Sequence, residues 1–198
     1  MANPKWLCIA ALTGLGLSAG GARAADCPTT ATDKTAIDDA GIVALYECLK
    51  DAMAEAYASG DNAVGKAYRS WTVTGTRPGL AGTHSDRFLL TWANPVAAEQ
   101  YMKYASDGFD MPVGSILAKE SFDVSVKKGK AVIGPLFIMT KVGTDKAPET
   151  DGWLYEAVQP DGKMMKFPQA MCHDCHVAWE AQDELAYPLE EVRISAPN

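Results

Sequence analysis

Residues 116–142 read ILAKESFDVSVKKGKAVIGPLFIMTKV, and their rhythm sets the class of the fold. Ile116 to Phe122 has the composition of a strand. Lys127-Lys128-Gly129-Lys130 has that of a hairpin turn, and Ala131-Val132-Ile133 resumes the extended pattern. Leu136 to Val142 supplies another β-type run. Successive strands separated by turns argue against a helical bundle. Side chains alternate across a strand, so Leu117, Lys119 and Ser121 share one face of the first run. Ala118, Glu120 and Phe122 share the other.

The same reading extends outward. Arg87 to Ala93 predicts a strand, and Asn94-Pro95 then supplies a helix cap followed by proline at the first helical position. The apolar face expected for that helix is Val96, Ala97, Tyr101 and Tyr104, with Gly108 just past its end. Further upstream, Trp71, Val73 and Gly75 alternate with Thr72, Thr74 and Thr76, and Arg77-Pro78-Gly79 turns the chain. Ile42, Leu45, Tyr46, Leu49, Met53 and Tyr57 recur at helical spacing, predicting a helix from Asp38 to Ser59. Downstream, Gly143 to Gly152 reads as a polar, mobile loop and Trp153 to Val158 as a strand. Pro160-Asp161-Gly162-Lys163 is a turn leading into Met164 to Phe167. Ala178 to Leu185 is a candidate short helix, and Glu191 to Ser195 a candidate closing strand. The expectation is an α+β, β-rich fold: an antiparallel sheet with a few flanking helices, without internal repeats.

Residues 1–24 read as an export signal. Lys5 is basic, Leu7 to Leu17 is apolar, and Ala22-Arg23-Ala24 is a small–x–small cleavage site. The apolar run is shorter than the about 20 residues needed to span a bilayer. The expected divisions are therefore 1–24, signal peptide; 25–66, N-terminal arm and helix; and 67–198, the main domain. The predicted location is the periplasm, with no membrane association after cleavage. Cleavage removes Lys5 and Arg23 and no acid, so the excess of 25 acidic over 18 basic residues widens. An acidic chain disfavours nucleic acid and anionic membrane as partners. It is compatible with a basic redox partner. Cys8 leaves with the signal. Cys27 and Cys48 then remain as a pair in an oxidising compartment, where a disulfide is expected.

The remaining cysteines belong to Cys172-His173-Asp174-Cys175-His176. A C-x-x-C-H run is the attachment signature of a c-type haem. Two thiols at this spacing can add across the two vinyl groups of the porphyrin. The adjacent histidine then lies under the iron as its axial ligand. A zinc site would need a second ligand pair, and a redox dithiol a strand–motif–helix placement near the chain start. His173 is expected to face solvent. His84 is expected on a loop near the site mouth, and both are weak ligand candidates. No methionine follows His176, which predicts a five-coordinate iron with an open distal face. The methionines upstream read as core filler.

The sequence resembles the cytochrome P-460 family from about Tyr68 to Ile194. The likeness rests on ordered segments: Tyr68-Arg69-Ser70-Trp71 with Gly75-Thr76, then Asn94-Pro95, then Gly114-Ser115-Ile116-Leu117-Ala118-Lys119-Glu120. Gly134-Pro135-Leu136-Phe137-Ile138-Met139, Gly152-Trp153 and the terminal C-x-x-C-H run complete it. The resemblance implies a β-rich homodimer holding one covalent haem c and oxidising hydroxylamine at a five-coordinate iron. It also implies a lysine, Lys119 here, bonded to the haem macrocycle, and a basic residue near the haem, Arg87 here. A relative of the same fold, cytochrome c′-beta, lacks the bond and binds gases such as nitric oxide.

Three functions follow as expectations. An enzyme would take a small nitrogen compound such as hydroxylamine at the iron. A binding protein would hold nitric oxide or carbon monoxide in an apolar pocket, with Phe88, Phe122 and Phe137 as candidates that read first as ordinary core. A plain electron carrier would need a sixth ligand. Alternation on the strand sets Glu120 away from Lys119, as an acid that supports the site from behind or serves the structure, and not as the catalytic base.

Overall fold

The computed structural model describes residues 26–194; the expected signal peptide lies outside them. The chain starts with strand β1 (Cys27–Pro28) and helix α1 (Asp39–Ala58). The Asp38 side chain caps α1 by accepting from the Gly41 N–H at 2.8 Å, satisfying one of the free amides of its first turn. Ile42, Leu45, Leu49, Met53 and Tyr57 form the buried stripe of α1. A disulfide joins Cys27 to Cys48, as expected, and ties β1 to α1.

A short helix, α2 (Ala63–Ala67), leads to strands β2 (Thr72–Val73), β3 (Gly79–Ala81) and β4 (Arg87–Ala93). Helix α3 (Pro95–Tyr101) separates β4 from β5 (Ile116–Ser125), and β6 (Lys130–Ile133), β7 (Leu136–Lys141) and β8 (Trp153–Val158) follow. Helix α4 (Ala170–His176) carries the cysteine motif. No helix among the described residues is long and apolar enough to cross a membrane.

All strand pairs are antiparallel in one eight-stranded curled sheet. The long β5 is its spine. One edge pairs with β4 from Phe88↔Phe122 to Ala93↔Leu117. The other edge pairs with β7 near Ile116 and with β6 near Ser125. One strand shared between two partners bends the sheet, so its two faces bury different things.

The even-numbered residues of β4 and β5 face α1. Phe88, Ala118 and Phe122 pack with Leu45, Leu49, Met53 and Tyr57 in one core, and Phe88 stacks on Phe122 at 5.0 Å. Glu120 is buried on this face. It accepts from the hydroxyls of Tyr46 (2.5 Å) and Tyr68 (2.9 Å) and from Trp92 Nε1 (3.0 Å), and it pairs with Arg69 at 2.7 Å. It is a structural acid, as strand parity predicts. Burial, reinforced by its charge, holds the Tyr46 and Tyr68 hydroxyls protonated far above the ordinary phenol range.

Several expected elements differ. The strand read through Thr76 is only the two residues of β2, and β3 forms where a turn was expected. Helix α3 stops at Tyr101, well before Gly108, and Val96 is exposed while Ala97 beside it is buried. Residues 143–152 are an ordered loop. Gly152 has φ +84° and presses on the Gly143 backbone, where a Cβ would lie 2.9 Å from a carbonyl carbon. Lys141 Nζ donates to the Asp151 carbonyl at 3.0 Å, and Ala147 and Thr150 are buried. Met164 makes one bridge to Val158 instead of a strand. The segment after α4 is a 3₁₀ helix, Val177–Gln182, and the closing strand reduces to a bridge between Gly75 and Arg193 after a 3₁₀ turn, Glu190–Val192. Ser195 lies outside the described residues. Met164 and Met171 are exposed, unlike the core filler expected.

Candidate functional site

The odd-numbered face of the sheet forms the wall of a cavity of about 580 Å³, within the roughly 300–1,000 Å³ usual for cofactor sites. Register aligns the side chains of this face, of which Thr91, Lys119, Phe137, Met139 and Tyr155 reach the cavity. Thr91, Lys119, Phe137 and Ala157 form one cross-strand row; Ala93, Leu117, Met139 and Tyr155 form the next. Arg87 and Leu89 continue the wall on β4. Gly134 opens space for Arg87: a Cβ there would lie 2.9 Å from its guanidinium and 2.4 Å from Ser121 Oγ. The opposite wall is α4 with Cys172, Cys175 and His176. All five residues singled out from the sequence, Arg87, Lys119, Cys172, Cys175 and His176, therefore line one cavity.

Helix α4 presents the motif as chemistry requires. Residues three and four apart share a helix face, so Cys172, Cys175 and His176 point the same way. Both cysteines carry free thiols, and burial pushes that of Cys172 up. The helix is anchored by Gln169. Its amide side chain acts as a strand partner for Tyr155 on β8, accepting from the backbone N–H at 2.7 Å and donating to the carbonyl at 2.9 Å.

His176 is buried, with Nδ1 lying 2.6 Å from the Glu184 carbonyl oxygen. A carbonyl only accepts, so Nδ1 carries the proton and Nε2 keeps its lone pair for a metal. Burial, helped by the charge of Lys119, drives the imidazole pKa down to about 3, so the ring is neutral. The Glu184 carbonyl is aimed by its neighbour. Asp183 forms a buried ion pair with Lys141 at 2.6 Å and accepts from the Met111 N–H at 2.7 Å. Asp183 and Glu184 both have left-handed backbones, φ +48° and +62°, and turn the carbonyl under the ring. The Glu184 carboxylate accepts from the Tyr155 hydroxyl at 2.5 Å and lies 3.2 Å from His173 Nδ1. His173 is thus largely buried beside Glu184, a correction to its expected solvent-facing position. Gln169, Asp183, Glu184 and Tyr155 escaped the sequence reading, because nothing local in the sequence marks a residue that acts through a distant backbone.

Lys119 is 5% exposed. The buried ion pairs among the described residues are Arg69–Glu120 and Lys141–Asp183, and Lys119 enters neither. Burial lowers its amine to about 8, with the Cys172 sulfur opposing the shift. Of the three phenylalanines considered for the pocket, Phe88 and Phe122 lie in the core on the other face, and Phe137 lines the cavity. His84 does too, with its ring centroid 4.8 Å from that of Phe137.

The donor set fits a haem. Two thiols and a neutral imidazole with one free nitrogen share a helix face, and Phe137 and Met139 supply apolar wall for a macrocycle. Arg87 places a guanidinium in the same cavity. Sheet and site together define a β-sheet cytochrome, distinct from the helical kind. A family model described as Cytochrome P460 matches residues 65–186, more than half of the chain, and the protein belongs to that family. Haem is the cofactor of the family. No curated protein matches the sequence.

Proposed function

We propose that this protein is a periplasmic mono-haem c-type cytochrome that oxidises hydroxylamine or a similar small nitrogen compound. Cys172 and Cys175 would hold the haem through thioethers, and His176 Nε2 would ligate its iron. A bound haem would supply the redox chemistry, with an external acceptor needed for the electrons taken from the compound. His176 is oriented by the Glu184 carbonyl, an arrangement that fixes ligand tautomer and raises basicity. Arg87 and Lys119 bring positive charge to the same cavity.

The observation that carries the reading is Lys119. Its amine is buried in the haem cavity without a carboxylate partner, and with a pKa near 8 a useful fraction holds a free lone pair at neutral pH. That is the nucleophilic state, in which the nitrogen could replace a ring C–H of the macrocycle, a step that releases two protons and gives two electrons to an added oxidant such as a peroxide. Of the three phenylalanines considered for a gas pocket, Phe137 lines the cavity; His84, Arg87 and Lys119 bring polar groups to a lining that is otherwise mostly apolar. The Cys27–Cys48 bond supports an oxidising compartment. A homodimer and a basic periplasmic redox partner belong to the same reading.

The reduced absorption spectrum of protein made with periplasmic haem attachment tests it. A broad, strongly red-shifted main band is expected, and Lys119→Met should convert it to an ordinary c-haem band while haem stays attached. An ordinary high-spin spectrum in the unaltered protein would remove the macrocycle bond and favour gas binding.

A further inference from the structure

Three segments far apart in sequence converge beside Tyr155. Asp151 lies near the end of the ordered loop before β8, His173 lies on α4, and Glu184 lies in the turn after α4. One ligand atom from each stands within 4.8 Å of the other two. His173 Nδ1 is 3.2 Å from Glu184 Oε2, and its Nε2 is 4.0 Å from Asp151 Oδ2. None of the three lines the cavity between the sheet and α4, so the cluster is separate from the cofactor site.

A second observation concerns the carboxylate at its centre. Glu184 is 1% exposed, and the Tyr155 hydroxyl and His173 both serve its Oε2. Its Oε1 is buried with no hydrogen-bond partner among the described residues. A buried acceptor without a donor carries its full desolvation cost, and a metal ion recovers it. The spacing suits such an ion. Ligand bonds of about 2.1 Å set the ligands of a tetrahedral ion about 3.4 Å apart, and the Glu184–His173 separation is already close to that. The Asp151 side chain is 63% exposed and so is free to close the remaining distance. The Tyr155 hydroxyl, donating at 2.5 Å, fixes the Glu184 carboxylate as partners behind a metal ligand do.

We propose that Asp151, His173 and Glu184 bind one divalent transition-metal cation, of which zinc is the fitting case. An imidazole beside two carboxylates selects zinc-like ions over calcium and magnesium, which favour oxygen ligands throughout. Glu184 contributes Oε1, His173 one ring nitrogen and Asp151 one oxygen, and water completes four-coordination. The ion cross-links the loop before β8, helix α4 and the turn whose Glu184 carbonyl orients His176. An ion held by the folded chain alone stabilises it by mass action. The site is independent of the haem reading, because its ligands come from outside the cavity.

The test uses the protein purified without a histidine tag after expression with periplasmic haem attachment, stripped of metal with a chelator and then desalted. Calorimetric titration with zinc should give one ion per chain, and Tm should rise as zinc is added. X-ray absorption at the zinc edge should show a nitrogen and oxygen shell at about 2.0–2.1 Å without sulfur. Asp151→Asn keeps the side-chain shape and tolerates the left-handed backbone of that position, φ +49°. His173→Ala removes the nitrogen ligand. Each variant should bind zinc at least about tenfold more weakly, since even a partner behind a metal ligand is worth that much. No uptake of zinc by the unaltered protein would overturn the proposal. So would sulfur in the zinc shell, which would assign the ion to Cys172 and Cys175, or affinity undiminished in either variant.

Discussion

Glu120 and Lys119 are neighbours on β5 with opposite duties, and one peptide bond of alternation separates them. Lys119 enters the cavity, while Glu120 enters the core beneath α1, where two phenols, an indole and a guanidinium satisfy it. Glu120→Gln should leave Arg69 without its counter-charge. Breaking a buried pair costs about 3–5 kcal/mol; Arg69 is a quarter exposed, so the low end, about 3 kcal/mol, is expected. Thermal unfolding should show a fall in Tm of roughly 10 °C with an unchanged haem spectrum. A changed spectrum with unchanged Tm would mean that Glu120 serves the haem side.

At the scale of elements, the site is assembled by anchors. Gln169 ties α4 to the outer edge of β8, Asp183 ties the segment after α4 to Lys141 on β7, and the disulfide ties β1 to α1. The disulfide is remote from the cavity and acts on the unfolded chain. Closing a loop of 21 residues removes enough unfolded-state entropy to contribute about 3 kcal/mol. The Cys27→Ser/Cys48→Ser double variant should lose that much in denaturant unfolding and keep its haem spectrum. Thiol titration of the denatured, unreduced holoprotein should find no reactive thiol; two would contradict the bridge. These elements were unequally legible in the sequence. Helix α1, β4, the Asn94-Pro95 start of α3 and β5 were readable because cap chemistry and periodicity are local. The ordered loop at 143–152 and the bridges at Met164 and Arg193 were not, because distant backbone fixes them.

For the whole molecule, the sheet divides labour between its faces. One face builds a core with α1, and the other builds a cofactor wall that α4 closes. Register carries this division: residues two apart on β4 and β5 reach the same side, so Arg87 and Thr91 of β4 meet Lys119 of β5 in the cavity. The attachment motif and Lys119 were legible in the sequence, the first from its spacing and the second from its setting in a recognisable segment. The place of His84, on a loop at the cavity, was legible too, but its packing against Phe137 was not, because that contact joins distant parts of the chain. The central claim is that Cys172 and Cys175 bind one haem covalently. Intact mass of the protein expressed with periplasmic haem attachment, recorded after denaturation, tests it most directly. The account predicts a single species heavier than the processed chain by one haem, with the increment lost in Cys172→Ala/Cys175→Ala. A chain at its unmodified mass, with the haem freely extracted, would contradict it.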